Sequence, residues 1–120
     1  MTTAEIFLPW PDRKLSPNAR VHWAALASAK KKAKRDARYA TQAAGIGKIE
    51  AERLSVRYVI FPPNRHARDT DNIVSSLKAA QDGIAEAIGI DDSKWTTSYR
   101  MAGAIEKGGM IKVELDWSGA

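Results

Sequence analysis

The sequence contains no cysteine. That excludes disulfide staples and any zinc site built on Cys ligands, so the fold must be held by its own core. Histidine is almost as scarce: His22 and His66 are too far apart in sequence to form a metal motif, and both read as polar or DNA-facing groups. No stretch approaches the roughly 18 apolar residues of a membrane span. Met1 to Trp10 lacks the basic start and long apolar run of a secretory signal. The expectation is a soluble cytoplasmic protein with no membrane partner. Aromatic residues make up only 8% of the chain, and Trp10, Trp23, Trp95 and Trp117 are expected to anchor a core or a dimer interface.

What is present fits one globular domain over residues 1–120, with an ordinary 44% hydrophobic content. The net charge is +5 and is unevenly placed. Residues 1–50 carry ten Lys/Arg against four Asp/Glu, a net of +6; residues 51–120 carry nine against ten, a net of −1. A basic first half and an acid-bearing second half suit a protein that holds a polyanion in one region and does chemistry in another.

The chain reads as alternating strands and helices. Ile6 to Leu8 is a short strand closed by Pro9-Trp10-Pro11, and a loop follows through Arg20. An Ala- and Lys-rich helix is expected from about His22 to Ala44, stopped by Gly45 and Gly47. Leu54 to Phe61 alternates as a strand and is broken by Pro62-Pro63-Asn64. Ile73, Leu77, Ile84 and Ile88 fall on one stripe, which predicts a second helix from about Ile73 to Ile88 with Gly89 as its stop. A strand from Trp95 to Glu106, a hairpin turn at Lys107-Gly108-Gly109 and a last strand from Met110 to Trp117 complete the order β-α-β-α-β-β. This is an α+β domain: a small mixed sheet with two main helices.

The most informative segment is Arg68-Asp69-Thr70-Asp71-Asn72. If it is extended, Asp69 and Asp71 point to the same side, about 7 Å apart at the backbone. Two carboxylates so placed can share one Mg²⁺, which prefers oxygen ligands and keeps positions for water and phosphate. The alternative is structural, because Asp69, Thr70, Asp71 and Asn72 are all good N-cap residues for the following helix. At about 100° per residue, Lys78 projects near Asp71 and could face a scissile phosphate, or simply pair with Asp82 one turn on. Asp91-Asp92 lies beyond the other end of this helix and joins the first acids only if the chain folds back.

Taken together, residues 68 to 92, RDTDNIVSSLKAAQDGIAEAIGIDD, resemble the RusA family of Holliday junction resolvases. They carry its order of Asp-x-Asp-Asn, Lys, a helical Asp and a paired Asp-Asp; residues 16 to 23, SPNARVHW, resemble its N-terminal Asn-x-Arg element. The resemblance implies a RusA-like fold, catalytic Mg²⁺ held by Asp69, Asp71 and Asp92 with Asp91 as a further candidate, and Mn²⁺ able to substitute. It implies that Lys78 is the catalytic lysine. Some members place that lysine nearer the second Asp; here Ser75-Ser76-Leu77 precede it, a displacement of about 4.5 Å along a helix. It also implies a homodimer, bacterial or prophage-encoded, whose two equivalent sites cut a four-way junction in pairs.

The basic residues fit such a substrate. Lys31, Lys34, Arg35 and Arg38 recur at three- and four-residue spacing and share a helix face that can follow a phosphate backbone without reading bases. Asn18, Arg20, Arg65 and Arg68 are further candidates for DNA contact. Two other functions remain open: a basic DNA-binding module without catalysis, and a related nuclease acting on flaps or forks.

Overall fold

The computed structural model describes residues 1–118. Its elements are β1 (Thr2–Pro9), α1 (Trp23–Ala43), β2 (Leu54–Phe61), α2 (Thr70–Ser76), α3 (Lys78–Ile88), β3 (Trp95–Met101) and β4 (Met110–Trp117), with short 3₁₀ turns at Arg13–Leu15 and Asp92–Lys94. The four strands form one mixed sheet in the order β1-β4-β2-β3. β4 runs antiparallel to both β1 and β2, whereas β3 lies parallel to β2. A parallel neighbour needs a crossover, and α2 with α3 supplies it.

One face of the sheet carries the core. Ile6 and Leu8 of β1, Leu54, Val56, Tyr58 and Ile60 of β2, and Ile111, Val113 and Leu115 of β4 alternate inward. They meet Ala37 of α1 and Leu77, Ala80, Ile84 and Ile88 of the crossover. In β4 the register places Ile111, and not Met110, on the inward side, which resolves the slip in its hydrophobic alternation. The other face carries ion pairs, with Lys112 Nζ 3.4 Å from Glu5 and 3.6 Å from Glu114, and Arg57 reaching Glu114 from β2. α1 and α3 pack closely enough that Gly83 is required. A Cβ there would stand 2.1 Å from the Lys34 carbonyl oxygen.

Four expectations are corrected. The second helix is two helices, broken at Leu77 (φ −92°, ψ −3°). The Ser76 hydroxyl bonds back to the Asn72 carbonyl at 2.8 Å, and the Leu77 amide turns to Val74, three residues back. A serine pair that competes for backbone carbonyls is a recognised cause of helix kinks. β3 ends at Met101 rather than Glu106, and β3 and β4 are not a hairpin. Lys107-Gly108 does turn the chain, but residues 102–109 carry it past β2, which separates the two strands. Gly109 (φ +76°) lies so close to the Trp10 ring that a Cβ would fall 2.6 Å from it. The first strand is also longer than its apolar centre suggested, because Thr2 to Pro9 pair along the whole of β4.

Candidate active site and nucleic-acid interface

The crossover decides where the acids go. Asp69 precedes α2 in extended conformation, and its Oδ1 accepts the Asp71 amide at 2.9 Å. It is therefore the N-cap of α2, satisfying one of the donors a helix start leaves free. Helix geometry begins at Thr70, so the extended Asp69-Thr70-Asp71 premise is corrected: Asp71 stands in the first helical turn, exposed, and the two side chains do not project as neighbours on a strand face. Asp91 plays the same capping part before the 3₁₀ turn, with Oδ2 accepting the Ser93 amide at 3.0 Å. The Ser93 hydrogen bonds hold its carboxyl below the usual carboxylate range.

Asp92 behaves differently. The return of the chain from α3 into β3 carries it back to Lys78, whose Nζ donates to Asp92 Oδ2 at 2.5 Å and to Asp82 Oδ1 at 2.9 Å. Gln81 Nε2 donates to the same Asp92 oxygen at 2.9 Å, and Gln81 Oε1 accepts from the Tyr58 hydroxyl at 3.0 Å. The Tyr58 and Tyr99 rings stack at 5.2 Å. Two carboxylates, Asp82 and Asp92, thus converge on one ammonium, and Gln81 joins Asp92 to the stacked Tyr58–Tyr99 pair.

The electrostatics follow from these bonds. Hydrogen bonds from Lys78 and Gln81 hold the Asp92 carboxyl below its usual range, and the Asp92 and Asp82 bonds raise the Lys78 ammonium above its own. Burial pushes the phenols of Tyr58 and Tyr99 up, so both stay protonated at neutral pH. The Asp92 side chain is 24% exposed and that of Lys78 61%, so the pair is open to solvent and to a ligand.

Among the described residues, no group of three or more His, Cys, Asp or Glu side chains stands in an arrangement that holds a metal ion. The chemistry of the donors nevertheless suits a hard cation. All of them are carboxylate oxygens, and Asp82 and Asp92 already share a positive charge. Mg²⁺ needs only one or two carboxylates when water and phosphate complete its shell.

The predicted basic residues divide. Lys31 and Lys34 line a trough of about 620 Å³ between the Lys14–Ala19 loop, α1 and the α2–α3 segment, with Lys78 and Asp82 on its far wall. Arg35 lies 3.5 Å from Asp36, while Arg38 bonds Glu86 at 2.8 Å and rests on Tyr39, so these two leave the shared stripe. Asn18 and Arg20 are exposed in the loop before α1. Arg68 bonds the Asn64 and His66 carbonyls and the Asn64 side chain, and its guanidinium stands 5.7 Å from the Trp10 ring. It shapes the loop after β2. Arg65 and His66 line a separate cleft against residues 101–105. Of the tryptophans, Trp95 is buried with its indole N–H on the Ile90 carbonyl, Trp10 and Trp117 pack against the core, and Trp23 is 76% exposed.

Sequence reasoning missed Gln81, Tyr58 and Tyr99. Gln81 follows Lys78 by about one turn, and Tyr58 is the only hydroxyl-bearing inward residue of an otherwise apolar strand, which was the available signal.

The chain is 34% identical over 111 residues to an uncharacterized protein of Xylella fastidiosa (strain Temecula1), an alignment covering 90% of this chain and 72% of that protein. The two belong to one family. No protein-family model matches the chain.

Proposed function

We propose that this member of the Xylella protein's family is a Mg²⁺-dependent endodeoxyribonuclease that makes paired incisions in branched DNA, of the RusA type and acting as a homodimer. The observation that carries the reading is the meeting of Lys78 and Asp92, 14 residues apart in sequence, beside a lysine-lined trough.

On the RusA pattern Asp69, Asp71 and Asp92 would hold the metal, with Asp91 a further candidate, and Mn²⁺ would substitute; among the described residues these carboxylates do not form one cluster, so metal binding has to draw the α2 start toward Asp92. Mg²⁺, when bound, supplies a polarised phosphodiester and an activated water. The chain's own groups do the rest. Lys78 places an ammonium where negative charge develops on a phosphate. Gln81 orients Asp92 through one amide hydrogen while its carbonyl oxygen is held by Tyr58, so the carboxylate is positioned from a buried anchor. The trough lysines hold the backbone of the strand being cut. Two equivalent sites in a two-fold dimer match the approximate symmetry of a four-way junction.

The test is a synthetic four-way junction incubated with and without Mg²⁺, beside a linear duplex of the same sequence. The expected result is metal-dependent nicking of opposed strands in the junction, with the Asp71→Asn protein binding the junction but leaving it whole. A protein that binds both substrates and cuts neither is a DNA-binding module instead. Preference for flaps or forks would move the substrate and keep the chemistry.

A further inference from the structure

Trp23 is the most exposed tryptophan and opens α1. Its position is defined locally: His22 Nδ1 caps the helix by accepting the Ala24 amide at 3.2 Å, and the His22 and Trp23 rings lie 5.5 Å apart at 33°. At about 100° per residue, Lys30 and Lys34 fall within about 20° of the Trp23 direction, seven and eleven residues on. Leu26, Lys30, Lys31 and Lys34 are the α1 wall of the trough, and Lys14 faces them from the loop. Five lysines and one acid, Asp82, line this trough. Among the described residues neither Lys30 nor Lys31 has an acidic partner within ion-pair distance, while Lys34 is 3.2 Å from Glu86. The α1 row is about 16 Å long by helical rise and carries an aromatic ring at one end.

We infer that the trough and Trp23 form one binding path for unpaired DNA, with the lysines on the phosphates and a base stacked on the indole. The charge of the trough complements a polyanion. The ring asks for more than a backbone, because stacking on an exposed indole needs a base face that a paired duplex does not offer. The strand is thereby led from Trp23 along α1 to Lys78. The identity of the strand as the one cut rests on the nuclease reading; the binding itself does not.

The experiment is fluorescence anisotropy with a labelled oligothymidylate of about twelve nucleotides and a duplex of equal length, in chelator, over a series of salt concentrations. The wild type binds the single strand more tightly than the duplex. Trp23→Ala weakens single-strand binding between about five- and a hundredfold with an unchanged salt slope, and Trp23→Phe restores most of it. The Lys30→Ala/Lys31→Ala protein loses about 1.4 from the slope of log affinity against log salt. Binding of Trp23→Ala within twofold of wild type, or equal affinity for the duplex, overturns the inference. No metal is present, so the outcome is independent of cutting. A wild-type protein that grips the strand but never nicks DNA contradicts the nuclease alone, and one that nicks junctions while Trp23→Ala binds normally contradicts the strand path alone.

Discussion

The two acidic groups that flank the crossover have the same composition and different surroundings. At its start, Asp69 spends one oxygen on the first turn of α2 and Asp71 is exposed within that turn. At its far side, Asp91 caps a 3₁₀ turn, but Asp92 meets Lys78 and Gln81, with Asp82 on the same ammonium. An aspartate before a helix is answered by backbone donors close in sequence. An aspartate brought back by the topology is answered by side chains that only the fold assembles. The second kind of partner is the better sign of chemistry, because local capping already explains the first.

The comparison can be broken most sharply by removing its functional half. Asp92→Asn keeps the shape and removes the carboxylate charge that faces Lys78; in the nuclease reading junction cutting falls at least about a hundredfold while junction binding, followed by gel shift, remains. The other half is separated by Asp69→Ser, which preserves the N-cap and removes the carboxylate. Cutting is expected to disappear with the melting temperature unchanged. Retained cutting would assign Asp69 to capping alone.

Next in size is a change to the seat of α3. Gly83→Ala drives a Cβ into the Lys34 carbonyl and forces α1 and α3 apart, at a cost of about 1–3 kcal/mol, read as a lower denaturant midpoint. It disturbs the Lys78–Asp82 side and spares the Asp69 cap.

The smallest effect is a pH dependence. Asp92 is held below its ordinary value of 3.8 by Lys78 and Gln81, so its contribution is present above that value and is lost as pH falls through the lower folded one. Lys78 is held above 10.5, so its contribution is present below that value and is lost as pH rises through the higher folded one. Asp92→Asn should flatten the fall of the melting temperature below about pH 4 and above about pH 10.5.

Much of this arrangement was legible in the residues, and the failures have physical causes. The alternation in Leu54–Phe61 and Met110–Trp117 and the stripe Ile73, Leu77, Ile84 and Ile88 located strands and helical faces, because burial imposes those periods directly. The break at Leu77 was hidden since Ser76 can face solvent or bond back to Asn72, and only packing selects the second. Pairing of β4 with β1 and β2 is a non-local choice that no short window contains. At the site, Lys78 and Asp82 were visible as a helical pair, but their meeting with Asp92 depends on the crossover. Gln81 gave no signal beyond its spacing. The lysines of α1 were visible as a stripe, yet Arg38 and Lys34 share Glu86, a partner 48 and 52 residues away in sequence that only the packing of α3 on α1 supplies.

Whether the two acidic groups serve one ion is the central question, and paramagnetic broadening by Mn²⁺ answers it most directly. In a carboxylate carbon spectrum of the labelled protein, the account predicts that Asp69, Asp71 and Asp92 lose intensity together at the lowest Mn²⁺ concentrations. Loss at Asp92 and Asp82 with Asp69 and Asp71 still sharp, or uniform loss across all surface carboxylates, would contradict it.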